Sequence, residues 1–395
     1  MLYALSKNVS SLVERGKGLK VKSLRYGRDG VYGIVEGSSG DPHPCMVRFD
    51  GRNLCDCRGF YFHDHCSHLA ALACDVGPES TRKRLLKSIE DPNMTIDVND
   101  LSIQTSIQPF NQMMSPSGDT NNPLAGIPRK TGIGLSGRPE SGKTTLSYQL
   151  GHETMLQEGE GSNMLLFDTE GSIHTYHAWK DAMADRYAMD TEIIHVDPVI
   201  KNGEVKNFDY ERNPDVDHQI FLLDVRDLTK ILTLHGRPAR IDTEDGKMKL
   251  QPNGDFPSDI SKTPIGQFVF QNDIDFMAYD SITNPLETFT NRQQDRPTRA
   301  KATAWWMLQA QALAQERDMV QVYITHLSKN PTNPYDRPDI LGGKNVKHQI
   351  KYSIYLRQAN DNERAMKLFR HPGKEPWSEE WYMDLKTGVG FVQPE

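Results

Sequence analysis

Apolar residues in this chain fall into short runs separated by polar stretches, and the runs change format about a third of the way along. Near the start, Val31-Tyr-Gly-Ile-Val35 and Cys45-Met-Val-Arg-Phe49 flank the turn-rich stretch Glu36-Gly-Ser-Ser-Gly-Asp-Pro42. That arrangement predicts a β-hairpin. His68-Leu-Ala-Ala-Leu-Ala73 reads as a helix. From residue 134 onward, apolar runs of strand length alternate with helical stretches. Residues 134–136, 163–167, 191–196, 276–280 and 320–325 read as strands, 145–150 as the start of a helix, and 218–234 as a second helix. Residues 352–357, 365–369 and 381–385 close the sheet as antiparallel edge strands. The alternation predicts an α/β core, a mostly parallel sheet flanked by helices, with its ligand at the carboxyl edge.

Length sets the domain count. A chain of 395 residues exceeds one ordinary core, so two domains are expected. The pattern divides them into a small module at 1–90, a linker at 91–124 and the core at 125–395. Residues 99–123 are rich in Ser, Gln, Asn, Thr and Pro and predict a linker or extended arm. Phe110 and the Met113–Met114 pair dock either on a neighbouring molecule or on the chain's own core. Two stretches depart from the alternation. Residues 236–272 carry Glu244-Asp-Gly246 between two strand-like runs, a hairpin signal, and 202–217 form a polar excursion.

Charge and cysteine use narrow the class. The net charge is −7, which does not by itself mark a nucleic-acid binder. Residues 1–28 nevertheless hold Lys7, Arg15, Lys17, Lys20, Lys22, Arg25 and Arg28 against Glu14 alone. This is either a phosphate-binding arm or a solvated, partly disordered start. No apolar run approaches the length of a membrane span, and the first residues lack the plan of a signal peptide. A cytoplasmic location, in a prokaryotic cell or an infected host, is expected. There the five cysteines serve as thiols or metal ligands rather than disulfides.

One stretch carries specific chemistry. Gly137-Arg138-Pro139-Glu140-Ser141-Gly142-Lys143-Thr144, followed by Thr145, is a complete phosphate-loop pattern between a strand and a helix. Its glycines let backbone N–H groups close on a polyphosphate, and the helix N-terminus adds positive potential. Lys143 reaches the β- and γ-phosphates of ATP, and the Thr144 hydroxyl ligates Mg²⁺. Asp168-Thr-Glu170-Gly171 ends the next strand, and a carboxylate there can activate the attacking water. Glu170 takes that role, with Asp168 as a helix cap or supporting group. Asp280 ends a later apolar strand, where such a residue holds the Mg²⁺ hydration shell. Thr325 and His326 end another and face the γ-phosphate, His326 as the nucleotide sensor.

A second pattern lies in the small module. Cys55-Asp-Cys57, eight residues, then Cys66-Ser-His68 offer three thiolates and an imidazole, a closed tetrahedral set for a structural Zn²⁺. A module this small needs such a staple. Cys45 and Cys74 are left for the core, and His63 and His65 for a solvated loop.

These motifs carry two resemblances. The CxC…CxH spacing after a hairpin resembles the SWIM zinc finger, a module associated with DNA and protein binding. The phosphate loop, Asp168–Gly171, Asp280-Ser281, and Gly342-Gly343 before Tyr352-Ser-Ile-Tyr-Leu-Arg357 resemble the RecA/RadA recombinase core in order. Leu124-Ala-Gly-Ile-Pro128 resembles its lead-in. The linker of that family carries an FxxA element, whereas this chain has Phe110-Asn-Gln-Met113, and His326 stands where glutamine is usual. The first argues against self-assembly through this element, and the second points to a paralogue or viral branch. The resemblance implies a Mg²⁺-dependent, DNA-stimulated ATPase of recombination, strand annealing or repair, acting on single-stranded DNA as a filament or ring. The alternatives are a low-turnover mediator working with a partner recombinase or single-strand-binding protein, a hexameric helicase or motor, and a KaiC-like signalling ATPase. It also implies two DNA-binding loops, one carrying Arg292, Arg296, Arg299 and Lys301, the other Lys329, Arg337, Lys344, Lys347 and Lys351.

Overall fold

The first unit of the computed structural model is built on a four-stranded antiparallel sheet of β1 (Lys20–Gly27), β2 (Gly30–Glu36), β3 (Pro42–Arg48) and β4 (Leu54–Cys55), in that order. Alternation along β3 turns Cys45 and Val47 inward, as the two-residue period of a strand requires. The helix Ser67–Cys74, whose Leu69 to Ala73 are all buried, packs into the same core. The helices Lys7–Gly16 and Glu79–Glu90 complete this unit. The start of the chain is therefore folded from Lys7 through Gly27, as helix and strand, rather than a disordered arm.

The structure describes residues 7–394 apart from 28–29, 49–52, 58–65, 77–78, 91–101, 123, 245–246, 253–256, 258, 286–295, 330–338, 341–345, 347–349 and 377–378. It divides the chain into Met1–Val98 with Phe270–Asp273, and Asn99–Val269 with Ile274–Glu395.

The second unit begins with β5 (Ser102–Ile103), the helix Gln108–Met114 and β6 (Ile127–Pro128), which pairs back on β5. There follow β7 (Gly132–Gly137), β8 (Asn163–Asp168), β9 (Thr191–His195), β10 (Asp197–Lys201), β11 (Glu204–Asp209) and β12 (His218–Asp224). Next come β13 (Ala239–Glu244), β14 (Lys247–Pro252), β15 (Ile274–Asp280), β16 (Val320–Thr325), β17 (Leu327–Lys329) and β18 (Asp339–Ile340). The meander β19 (Tyr352–Gln358), β20 (Glu363–Arg370), β21 (Glu380–Lys386) and β22 (Gly390–Val392) ends the unit. The main sheet has ten strands in the order β22-β21-β20-β19-β7-β16-β15-β8-β12-β9. From β19 to β9 every neighbouring pair is parallel, and β19 to β22 pair antiparallel. The chain is thus mixed α/β with one large mixed sheet. Strands β7, β8, β15 and β16 are buried at every residue, as expected of parallel strands covered on both faces.

Two readings change. Residues 218–234 are not one helix: His218–Asp224 is a strand between β8 and β9, and only Leu228–Leu234 is helical. An apolar run buried on both faces carries no periodicity that separates strand from helix. The stretch before the core is also no extended arm from residue 102 onward. Ile103, Ile107, Phe110, Met113 and Met114 are essentially fully buried in the main core. Thr105 and Asn111 between them satisfy each other, and Ser106 donates from its N–H and hydroxyl to Glu153. Asn111 Oδ1 accepts from the Thr105 N–H (3.0 Å) and hydroxyl (2.9 Å), and Asn111 Nδ2 donates to Thr105 O at 2.7 Å. Both departures form hairpins, β10 with β11 and β13 with β14.

Candidate active site and metal cluster

The parallel strands deliver their carboxyl ends to one edge of the sheet, and the chemically interesting residues are at those ends. Gly137 ends β7, Asp168 ends β8, Asp280 ends β15 and Thr325 ends β16. Asp280 lies directly across from Asp168 in register, and Thr325 across from Ser136. After β7 the chain turns through the phosphate loop into the helix Lys143–Glu158. Gly142 caps this helix at φ +91°, where a Cβ would fall 2.7 Å from the Phe391 ring. A Cβ on Gly137 would meet Leu356 O at 2.4 Å and Ser141 Oγ at 2.6 Å. Only glycine fits either place.

The loop holds groups suited to an anion. Lys143 is buried, with Nζ donating to Gly137 O at 3.2 Å and Arg138 O at 2.9 Å. Burial pulls its ammonium below the usual lysine range, against the opposing pull of Asp280 and Glu170. The Ser141 hydroxyl is buried without a hydrogen-bond partner. Arg138, Pro139 and Glu140 line the exposed outer turn, Glu140 at φ +64°, and Thr145 is buried in the first turn of the helix. A glycine-shaped cradle, an unpaired hydroxyl and a lysine held only by carbonyls together fit a polyphosphate.

Beside the loop, Thr144 Oγ1 donates to Asp280 Oδ2 at 2.6 Å, and the Tyr176 hydroxyl donates to the same oxygen at 3.1 Å. Asp280 is 2% exposed. Burial pushes its carboxyl up to about 6, helped by the nearby Glu170 and Asp168 and opposed by the two hydroxyl donors. Thr144 and Asp280 thus place a hydroxyl and a carboxylate side by side, oxygen groups of the kind that could hold Mg²⁺. Asp168 acts as a local organiser. Its Oδ1 accepts from the backbone N–H of Glu170 at 3.1 Å and of Gly171 at 2.8 Å, which shapes the turn that presents Glu170.

Glu170 reaches across to β16, where His326 Nε2 lies 2.7 Å from its Oε1. Burial alone would raise the Glu170 carboxyl. The hydrogen bonds from His326 and Ser281 outweigh it and hold the group below the usual glutamate range. Thr325 is turned away, its hydroxyl directed at Leu135 O at 3.4 Å. The residues singled out from sequence, Lys143, Thr144, Glu170, Asp280 and His326, are therefore brought to one sheet edge. Tyr176 was not foreseen. It lies in a weakly patterned helix, and only the fold turns its hydroxyl onto Asp280.

The basic residues expected in loops are placed differently or not described. Arg292, Arg337, Lys344 and Lys347 lie outside the described residues. Arg296, Arg299 and Lys301 are in the first turns of the helix Arg296–Arg317, not a loop. Lys301 Nζ donates to Leu250 O at 3.0 Å and sits over the Trp305 ring. Lys329 ends β17, which pairs with β18, and Lys351 is exposed just before β19.

In the first unit, Cys55, Cys57, Cys66 and His68 bring one ligand atom each within 4.8 Å of one another. β4 supplies Cys55, and Cys66 and His68 open the helix Ser67–Cys74. This set can hold a metal such as zinc. Burial lowers the His68 imidazole, which favours the neutral, metal-ligating form. Cys45 is buried as expected, and its Sγ lies 3.4 Å from Cys55 Sγ, beside the cluster. His63 and His65 lie outside the described residues.

No helix among the described residues is long and apolar enough to cross a membrane. The chain matches no protein-family model, and no curated protein sequence matches it.

Proposed function

We propose that the chain is an ATP-hydrolysing, DNA-binding protein of the RecA/RadA type, with an N-terminal zinc module of the SWIM type. The observation that carries this reading is the contact between Thr144 and Asp280, which ties the phosphate loop to the end of β15 at 2.6 Å. It is the pairing that magnesium–nucleotide chemistry requires of the two positions. Magnesium bound there would neutralise phosphate charge. Lys143 would hold the β- and γ-phosphates, and the backbone N–H groups after Gly137 would surround them. Glu170, ionised and held by His326, would accept the proton of the attacking water, and His326 would sense whether the γ-phosphate is present.

One observation favours the mediator among the alternatives. Phe110 is fully buried in the core of its own unit, so it is no free plug for a neighbouring subunit. We therefore infer assembly with a partner recombinase rather than self-assembly through this element.

The test is the steady-state ATPase rate with and without single-stranded DNA, at low and moderate salt. Stimulation that fades with salt is expected, because phosphate-backbone contacts are salt-sensitive. Lys143→Ala should abolish turnover and the stabilisation by ATP. Undiminished ATPase activity in that variant would remove the basis of the assignment.

A further inference from the structure

The first unit contains a thiol that the metal cluster does not use. Cys45 and Cys55 are directly opposed on β3 and β4, and the Cys45 thiol donates to Cys55 Sγ at 3.4 Å and to His43 O at 3.3 Å. Cys45 is not among the four groups that converge on a common point. Opposed residues on antiparallel strands hold their Cα atoms about 4.5–5.5 Å apart, inside the roughly 4.4–6.8 Å that a disulfide spans. A bond between these sulfurs thus needs a side-chain rotation and no movement of the strands. Of the three thiol ligands, Cys55 is the most exposed, at 9% against 6% for Cys57 and 5% for Cys66. Cys55 is also the thiol ligand paired across the strands with Cys45.

We propose that Cys55 and Cys45 form a peroxide-oxidation site, in which Cys45 captures oxidised Cys55 as a cross-strand disulfide and the cluster releases its metal. The proposal rests on the reading of the cluster as a zinc centre. In the first step the Cys55 sulfur attacks one peroxide oxygen. An S–O bond forms, the O–O bond breaks, and hydroxide leaves and takes a proton from solvent. In the second step the Cys45 sulfur attacks the sulfenic sulfur. The S–S bond forms, the S–O bond breaks, and the departing hydroxide leaves as water with the proton from Cys45. Two thiol sulfurs are oxidised by two electrons, and one peroxide is reduced to two waters. A metal held by Cys55, Cys57, Cys66 and His68 would thereby lose Cys55 as a ligand and keep three. A metal in the cluster would hold Cys57 and Cys66, whereas Cys45 lies outside the four-ligand set, so Cys45 is the thiol left to turn.

The test uses the full zinc-loaded chain treated with hydrogen peroxide. Zinc release is followed with a chelating dye, free thiols are alkylated, and the non-reduced digest is mapped by mass spectrometry. The expected result is a peptide linked through Cys45 and Cys55 that accumulates in step with zinc release. In Cys45→Ser that peptide is absent and Cys55 is labelled by dimedone. A wild-type digest dominated by Cys55–Cys57 or Cys55–Cys66 linkages, or zinc release with Cys45 still alkylated, overturns the proposal while leaving the centre intact. The wild-type map decides this even where the variant fails to fold. A chain purified without zinc overturns the metal centre itself, whatever linkage then forms.

Discussion

His326 Nε2 lies 2.7 Å from Glu170 Oε1, joining the tip of β16 to the turn after β8. In the proposed reaction this pair sets the charge state of the carboxylate that would accept a proton from water. His326→Ala removes a donor that holds Glu170 low, so the Glu170 carboxyl rises toward its ordinary range. The acidic limb of the kcat/KM profile should then move to higher pH, and Glu170→Gln should reduce kcat roughly 100-fold or more with ATP binding retained. A pH–rate profile unmoved in His326→Ala would show that the pair does not control the base.

Asp280 gives the opposite pH dependence. Its carboxyl is raised from 3.8 to about 6 in the fold, so between those values the folded chain holds a proton that the unfolded chain has released. Stability therefore falls as pH rises through this window, and the penalty is complete above about pH 6. It is of the order of 3 kcal/mol at about 1.4 kcal/mol per pH unit. Asp280→Asn should raise the melting temperature of the nucleotide-free chain at pH 8 and change it little near pH 4, while abolishing ATP turnover. Equal effects at both pH values would refute the burial argument.

Gly142 tests the backbone. A side chain at φ +91° is strained, and its Cβ would fall 2.7 Å from the Phe391 ring. Gly142→Ala should cost about 1–2 kcal/mol for the left-handed backbone alone, and more for the clash, and should lose ATP binding. Phe391→Ala should cost about 3–5 kcal/mol and loosen the loop from below. Chemical denaturation of both variants with and without ATP would measure these effects.

The cluster in the first unit should bind one zinc per chain. Cys66→Ser should lose that zinc and the cooperative melting of residues 7–90, because a small core of this kind depends on its metal. ATP-dependent stabilisation of the second unit should persist. Metal analysis with two-wavelength thermal melts would check both, and full zinc content in Cys66→Ser would refute the ligand set.

Much of the candidate site was legible because its residues end apolar strands. Asp168, Asp280 and Thr325 each follow a run buried on both faces, and the glycine spacing of the phosphate loop answers to backbone geometry alone. What stayed hidden depends on neighbours distant in sequence. Nothing around Tyr176 announces a hydroxyl aimed at Asp280. The place of Cys45 beside Cys55 follows from the register of β3 and β4, which spacing does not reveal. Of the two placements open for Phe110 and Met113–Met114, the chain's own core is the one found, while the stretch around them read as an arm because its apolar residues are sparse. The strand His218–Asp224 reads as helix from sequence because its short run, buried from His218 to Leu223, has no period to read.

The support beneath the phosphate loop has a kinetic consequence. Gln149, one and a half turns into the loop's helix, exchanges two hydrogen bonds with the backbone of Phe391, 242 residues further along the chain. Arg186 donates to Phe391 O in the same strand and to Val389 O just before it. The glycine loop and its helix are therefore a high-contact-order element, whose loop-closure entropy must be met before its contacts are gained. In refolding, competence to bind ATP should be among the last properties to return, well after secondary structure, and β22 strand docking should set its rate.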